Sequence, residues 1–396
     1  MDYKFNSSVA SLQPSAIREI LKMTSKPGII SFSAGNPSAD AFPSKEIADI
    51  ASDILRNDPV SALQYSITEG YPPLIEYLKE YMKGKNALRD DDSVIVTSGA
   101  QQVMALASKA LCNSGDTVIC ENPSFIGSLN SFRAHGGKLK GVDMQPDGMD
   151  MDALEELLKS DKRVKFIYTI PNFQNPTGIT MSYEKRIRLY ELACKYDVII
   201  LEDNPYGDIR FEGEDIPPIK SLDKEGRVIY AGSFSKVISP GMRVGFGAAN
   251  KDLMAKMVVC KQIEDVHTNI LSQMIIHRYV TECDFNAHLE RIRKIYRHKA
   301  ELMMSLADKY LCPEIKYNKV QGGLFIWATL PDNVDMTNFC LRLVKNSVAV
   351  VPGNAFSVEE NAPSQSFRMN YSTETDENIA KGMQIIGETF KSCMDI

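Results

Sequence analysis

Short, largely apolar segments recur between residues 94 and 230, and helical patterns separate most of them. The segments are Val94–Val96, Val118–Cys120, Val164–Tyr168, Val198–Leu201 and Val228–Tyr230. Strands that are apolar on both faces and are spaced by helices are typical of a mostly parallel sheet covered by helices on both sides. Ligands of such sheets gather at the carboxyl ends of the strands. The residues that directly follow each segment are therefore the first candidates for a functional site.

The pattern changes after a long helical region at about residues 251–306. Beyond it, shorter strands and helices alternate, which indicates a separate α+β unit. We therefore predict a large α/β domain over residues 46–290 and a smaller α+β domain over residues 291–396. The N-terminal segment, residues 1–45, is expected to associate with the smaller domain.

Composition and charge exclude several classes of protein. The net charge is −6 and the pI is about 5.6, so no general attraction to nucleic acid is expected. No apolar run approaches the roughly 18 residues of a membrane span, and the first residues lack the apolar core of a signal peptide. The eight cysteines form no CxxC pair and the five histidines form no HxH or HExxH pair, so no metal site is expected. Scattered cysteines in a long chain are typical of reduced thiols in the cytoplasm.

A lysine follows the last of the apolar segments. Lys236 lies within the stretch Val228–Gly247, between hydroxyls and apolar residues, and Arg243 follows it after a Ser-Pro-Gly turn. A buried lysine amine is nucleophilic once it is deprotonated, and it can then form an imine with a carbonyl cofactor. The planar guanidinium of an arginine binds phosphate through two parallel hydrogen bonds. For an isolated residue, a surface lysine near a loop is the alternative.

A turn of small residues, Thr97–Gln102, lies between the segment Val94–Val96 and an alanine-rich helix. Such a turn directs free backbone amides at an anion. Many α/β proteins carry similar turns, so this pattern alone leaves both a phosphate site and an ordinary turn open.

Four further residues in loops after strands suit an aromatic, charged ligand. Asp203 ends an apolar strand, where an ionised carboxylate is costly unless it is paired, and a protonated ring nitrogen would pair it. Tyr206 and Asn175 offer a phenol and an amide to a ring oxygen, and Phe125 offers a flat face for stacking. Taken singly, such residues are often caps, turn residues or core residues. Together with Lys236 and Arg243 they describe a pocket for pyridoxal 5′-phosphate.

The motifs that carry this chemistry are AGNP, LQYSITEGYPPL, TSGAQQ, NPTG, EDNPYG, SFSKVISPGMRVG and FRMNYS. In their order and spacing, almost the whole chain resembles the fold-type I pyridoxal-phosphate aminotransferases of class I/II. The early stretch SAIREILKMTSKPGIISFSAGNP is similar to that of the 2-aminoadipate and kynurenine aminotransferases. The resemblance implies an aspartate-aminotransferase-like fold. It also implies cis peptide bonds at Asn122-Pro123 and Asn175-Pro176.

The resemblance implies a role for each residue of the pocket. Lys236 is the Schiff-base lysine, Asp203 pairs the pyridine nitrogen, and Tyr206 and Asn175 contact the ring oxygen. Phe125 stacks on the ring, where many relatives have tyrosine, so any hydroxyl contact is lost there. The residues of the implied phosphate cup are Gly99, Ala100, Gln101, Ser233, Ser235 and Arg243.

The resemblance also implies substrate and partner contacts. Arg368 is expected to hold the substrate α-carboxylate, assisted by the Gly35 amide and by Asn175. Tyr65 is expected to reach the phosphate bound to the other subunit, which implies a homodimer with shared sites. Arg18 either recognises a distal acidic group of the substrate or is a solvated helix charge.

The implied reaction moves an amino group from an L-amino acid to a 2-oxo acid such as 2-oxoglutarate. The donor is of the 2-aminoadipate, glutamate or aromatic type. One alternative is another reaction of the same cofactor, such as the cleavage of a C–S bond by β-elimination. A second is a non-catalytic sensor like the MocR-type regulators. That alternative needs a DNA-binding domain ahead of the pocket, whereas AGNP begins at residue 34.

Overall fold

An eight-stranded sheet organises the larger part of the molecule. The computed structural model describes residues 3–10, 28–360 and 362–394. The strands of the described residues are β1 (Ile30–Ser31), β2 (Asp92–Thr97), β3 (Thr117–Asn122), β4 (Lys138–Gln145), β5 (Gly148–Met149), β6 (Val164–Thr169), β7 (Ile199–Asn204), β8 (Val228–Ser233), β9 (Gly245–Asn250), β10 (Lys316–Tyr317), β11 (Phe325–Thr329), β12 (Val348–Ala349), β13 (Val351–Pro352) and β14 (Ser366–Asn370). The large sheet has the order β2-β9-β8-β7-β6-β3-β4-β5.

Helices cover this sheet and connect its strands. The α-helices of the described residues are α1 (Ser7–Ala10), α2 (Ser44–Asn57), α3 (Pro59–Leu63), α4 (Pro72–Gly84), α5 (Ala100–Leu111), α6 (Ile126–Ala134), α7 (Met151–Ser160), α8 (Tyr183–Tyr196), α9 (Lys251–Glu264), α10 (Ile270–Glu282), α11 (Phe285–Tyr310), α12 (Met336–Lys345) and α13 (Asp376–Met394). In that part of the chain, none of them combines the length and apolar character that a membrane crossing requires.

The central strands confirm the predicted mostly parallel sheet. Strands β4, β3, β6, β7 and β8 pair in parallel, whereas β9 runs antiparallel to both of its neighbours. Alternate residues face two separate cores, as Val118 and Ile119 do, so both faces of the sheet are buried. The sequence did not predict β9, because its residues, GFGAAN, are mostly glycine and alanine, which are depleted in strands.

A smaller antiparallel sheet, of order β10-β11-β14-β13, forms the second unit. Strand β1 pairs in parallel with β12, so the N-terminal segment joins the C-terminal part of the chain. The α/β fold with a smaller α+β unit is thereby confirmed. Residue 290 lies within helix α11, and the domain boundary near it stays a prediction.

A buried ion cluster connects the beginnings of β2 and β8. Lys220 Nζ lies 3.0 Å from Asp92 Oδ2 and 2.8 Å from Asp223 Oδ2, and all three side chains are fully buried. Asp223 Oδ2 also accepts a hydrogen bond of 3.1 Å from the backbone N–H of Val228, the first residue of β8. This cluster fixes the register of the strand that leads to Lys236.

Replacing Lys220→Ala should therefore destabilise the fold strongly. The change removes the cation that lies between two buried carboxylates, and we expect the free energy of unfolding to fall by about 3–5 kcal/mol. A urea titration measures this change. The control is Lys83→Ala, which removes a surface ion pair with Glu80 and should leave stability unchanged within error. Equal stability of the two variants would contradict this account.

Candidate active site

A cavity of about 440 Å³ lies at the carboxyl ends of β3, β6, β7 and β8. Residues of the N-terminal segment and of β14 also line it. Twelve of the residues predicted from the sequence lie in its wall: Gly35, Ala100, Gln101, Phe125, Asn175, Asp203, Tyr206, Ser233, Ser235, Lys236, Arg243 and Arg368. The parallel strands bring them together because their carboxyl ends share one edge of the sheet.

Lys236 projects into this cavity from the loop after β8. Its Nζ donates a hydrogen bond of 2.7 Å to the carbonyl oxygen of Gly35. Burial, together with the cations Arg368 and Arg243, lowers the pKa of Lys236 to about 8. The neutral, nucleophilic form of the amine is therefore far more populated near neutral pH than in an ordinary lysine.

Asp203 lies near the end of β7, and its carboxylate is buried. Its Oδ2 accepts a hydrogen bond of 2.8 Å from the Tyr168 hydroxyl, whereas its Oδ1 has no partner. Burial raises the pKa of Asp203 to about 7, and the bond from Tyr168 opposes this shift. A buried carboxylate oxygen without a partner is suited to bind a cationic N–H group of a ligand.

Asn175 connects two other predicted residues of the cavity. Its Nδ2 donates to the Tyr206 hydroxyl at 3.5 Å, and its Oδ1 accepts a bond of 2.8 Å from Arg368 Nη1. The predicted cis peptide bonds at Asn122-Pro123 and Asn175-Pro176 are both present. The amide of Asn175 can therefore contact a ring oxygen on one side and the arginine on the other.

The turn before helix α5 forms an anion cradle. Gly99 has φ +80°, and a Cβ atom at this position would lie 2.4 Å from Arg243 Nη2, so only glycine fits. The first backbone amides of α5 have no partner within the helix and lie beside the cavity. Arg243 donates from Nη2 to the carbonyl oxygen of Ser98 at 2.9 Å, which fixes the guanidinium beside these amides.

Arg368 is buried on β14 between two aromatic rings. Its guanidinium carbon lies 4.2 Å from the ring centre of Phe325 and 4.8 Å from that of Phe356. Nη2 donates to the carbonyl oxygen of Ser33 at 2.8 Å, and Nε has no hydrogen-bond partner. Burial lowers the pKa of Arg368 to about 10. No ion pair of the described residues neutralises this charge.

Comparison with known proteins gives the site its context. The family model for aminotransferase class I and II matches residues 27–386. The chain is 36% identical over its full length to aromatic-amino-acid aminotransferase 1 of Thermococcus litoralis, covering 96% of that protein. It is 37% identical to the 2-aminoadipate transaminase of Thermus thermophilus, with 98% of this chain and 97% of that protein covered.

The chain belongs to the class I and II aminotransferase family. It also resembles the solved structure of kynurenine aminotransferase of Pyrococcus horikoshii in complex with PMP, with a TM-score of 0.94 and 36% identity. That similarity covers 98% of this chain and 97% of the other. The protein is a transaminase that acts on an amino acid and a 2-oxo acid, and its cofactor is pyridoxal phosphate.

The residues of the cavity fit this cofactor. Lys236 supplies an amine whose lowered pKa favours the nucleophilic form, and the unpartnered Oδ1 of Asp203 suits a protonated ring nitrogen. The cradle of Gly99 and Arg243 suits a phosphate, and half-buried Phe125 provides a flat apolar face. Each group of the aminotransferase cofactor thus has a matching side chain or amide in one cavity.

Two predicted residues among those that the structure describes do not line the cavity. Gly99 is next to Ala100 of the cavity lining, and a Cβ atom at Gly99 would meet Arg243. Tyr65 is 80% exposed and packs edge-on against His267, with ring centres 5.9 Å apart. Arg18 and the helix predicted around it lie outside the described residues.

Gln174 is a buried residue of the site that the sequence did not single out. Its Nε2 donates to Glu121 Oε2 at 3.1 Å and to the carbonyl oxygen of Pro123 at 2.8 Å. Its Oε1 accepts bonds from the backbone N–H and the hydroxyl of Thr177. Gln174 therefore ties the loop that carries Asn175 to the turn before Phe125. Its position directly before the motif NPTG could have indicated a role in the site, but a glutamine in a loop is more often exposed to solvent.

The lowered pKa of Lys236 predicts how this aminotransferase captures its cofactor. In the cofactor-free protein, the rate at which added pyridoxal phosphate reacts should rise with pH through about 8 and then level off, because only the neutral amine attacks. Stopped-flow measurement of visible absorbance follows the reaction. Arg368→Met removes a nearby cation, so the rise should move to higher pH, whereas it should not move in exposed Lys251→Ala. An unchanged profile in Arg368→Met would contradict the assignment.

Proposed function

We propose that this aminotransferase uses L-amino acids of the 2-aminoadipate, glutamate or aromatic type as donors and a 2-oxo acid such as 2-oxoglutarate as acceptor. The observation that carries the proposal is a buried arginine, Arg368, in the same cavity as the nucleophilic Lys236. Donor and acceptor both have a carboxylate beside the reacting carbon. One arginine can therefore bind both in turn.

Arg368 is the carboxylate-binding residue in this proposal. A buried charge that lacks an opposite charge is costly, so a substrate carboxylate is the natural partner of this guanidinium. Its bonds to Ser33 and Asn175 and the flanking rings of Phe325 and Phe356 hold it in one orientation. The Gly35 amide, at the same side of the cavity, assists it.

Lys236 moves the proton in this proposal. When bound, the cofactor supplies a carbonyl for the substrate amine and a protonated ring that accepts electrons. Lys236 Nζ, with a pKa near 8, can take a proton at the substrate Cα and return it elsewhere. Asp203 keeps the ring nitrogen protonated, Tyr206 and Asn175 hold the ring oxygen, and Phe125 covers the ring. The phosphate ligands are the residues predicted from the sequence, Gly99, Ala100, Gln101, Ser233, Ser235 and Arg243.

In this proposal, the part of the cavity that receives the substrate side chain has to serve both aromatic and acidic donors. Met104, Ile126 and Phe325 provide apolar surface that suits an aromatic donor. Among the described residues that line the cavity, the cations are Lys236, Arg243 and Arg368, and each already has a role in this proposal. A distal carboxylate therefore needs another cation, and we propose Arg18 for it.

We propose a homodimer in which Tyr65 reaches the phosphate site of the partner subunit. Its 80% exposure supports this proposal, since a large aromatic ring in water is unfavourable. Val60, Leu63 and Ile67 beside it are also exposed, and such apolar patches mark interaction surfaces. We further propose a cytoplasmic location, which the eight unpaired cysteines support.

Arg368→Lys should impair every donor to a similar extent. Lysine keeps the charge but loses the two-pronged contact with a carboxylate, so kcat/KM should fall about 100-fold, or about 2.7 kcal/mol. The measurement is conversion of the bound cofactor by an amino acid alone, followed by its recovery with 2-oxoglutarate. Exposed Arg163→Lys is the matched control and should behave as wild type. Unchanged kcat/KM in Arg368→Lys would refute the assignment.

Arg18→Ala should act selectively. We expect 2-aminoadipate and glutamate to lose about tenfold or more in kcat/KM, about 1.4 kcal/mol, while aromatic donors keep their rates. A panel of donors, run beside wild type and exposed Arg56→Ala, measures this difference. Equal losses for acidic and aromatic donors would show that Arg18 does not recognise the distal group.

A further inference from the structure

The second oxygen of Asp203 is held by a tyrosine that belongs to none of the sequence motifs. Tyr168 lies on β6, next to β7 in the sheet, and its hydroxyl donates to Asp203 Oδ2 at 2.8 Å. Ser128, on helix α6, donates in turn to the Tyr168 hydroxyl at 2.9 Å. Tyr168 and Ser128 are fully buried and Asp203 nearly so. The three side chains thus form one chain of hydrogen bonds, and Asp203 and Ser128 at its two ends both line the cavity.

We propose that Tyr168, supported by Ser128, is a positioning residue that keeps Asp203 charged and leaves only its Oδ1 available to the ring nitrogen of the cofactor. This inference rests on the role proposed above for Asp203. In this inference, Tyr168 helps to keep the ring nitrogen protonated, although Tyr168 itself contacts neither the cofactor nor the substrate.

The surroundings of Asp203 explain why such support is required. Burial favours the neutral carboxyl and raises the pKa of Asp203 to about 7, and the nearby carboxyl of Glu121 acts in the same direction. The other titratable groups coupled to Asp203 are the phenols of Tyr206, Tyr230 and Tyr168, which are neutral at ordinary pH because burial raises their pKa. Of these groups, Tyr168 donates a hydrogen bond to the carboxylate and stabilises its charged form.

The phenol cannot leave this position easily. Its ring packs edge-on against Phe132, with ring centres 5.2 Å apart and an interplanar angle of 72°. The bond from Ser128 occupies an acceptor site of the hydroxyl oxygen, so the hydroxyl hydrogen is directed toward Asp203. Without this donor, Asp203 would compete more strongly for the proton that it shares with the ring nitrogen.

The test is nitrogen-15 NMR of the holoenzyme loaded with pyridoxal phosphate labelled at the ring nitrogen. In Tyr168→Phe the signal should move from the protonated toward the unprotonated position. The rate of cofactor conversion by an amino acid should fall about tenfold or more, while KM should change less than twofold because the carboxylate site is untouched. Ser128→Ala should move the signal in the same direction by a smaller amount. Tyr317→Phe removes a comparable bond from tyrosine to Asp308, far from the cavity, and should change neither readout.

A signal at the wild-type position in Tyr168→Phe would overturn the inference. In that case, transfer of the amino group by the wild-type enzyme would still support the proposed function, so the two failures can be told apart. An unprotonated ring nitrogen in the wild-type holoenzyme would overturn both this inference and the role of Asp203. If Tyr168→Phe does not fold, Ser128→Ala decides the question, because an unmoved signal there would also overturn the inference.

Discussion

Three buried charges around one cavity lack an opposite charge within the described protein. Lys236 and Arg368 are cations, Asp203 is a carboxylate, and burial shifts the pKa of each toward its neutral form. A ligand that carries a carbonyl, a cationic ring nitrogen and a carboxylate satisfies all three at once. In the proposed function, the need of these groups for partners selects the cofactor and the substrate carboxylate.

Two buried side chains whose donors bind backbone carbonyls hold the loop beside these charges in place. Arg186, buried beneath the loop that carries Asn175, donates to the carbonyl oxygens of Pro171 and Met181 and to the Asn172 side chain. Gln174 connects the same loop to the turn before Phe125. Because these donors bind backbone carbonyls, the loop has little freedom to adapt when a ligand arrives. The ring-binding groups are therefore arranged in advance, and binding does not need to order them.

One feature of the sequence, its apolar segments, predicted both the sheet and most residues of the cavity. Continuous apolar segments indicate buried parallel strands, and the carboxyl ends of such strands meet at one edge, so Lys236, Asp203 and Asn175 had to lie close together. Tyr168 was not predicted, since its position inside a strand is typical of a core residue and its hydroxyl bonds to another side chain. Arg368 was placed only by resemblance, because spacing along one chain does not show which distant strand closes a cavity. The proposed contact of Tyr65 involves a second copy of the chain, so the pattern of strands within one copy does not predict it.

The pairing of β1 with β12 has a consequence for the order in which the protein becomes functional during synthesis. Residues 30–35 supply the strand partner of Val348, the carbonyl that binds Arg368 and the carbonyl that binds Lys236. The early segment therefore emerges from the ribosome about 300 residues before its main partners exist. The large sheet can form while this segment is still unattached. The cavity is complete only once β12 and β14 have been synthesised and have joined the rest of the protein. A chain truncated before these strands would therefore hold a folded sheet with an open, inactive site.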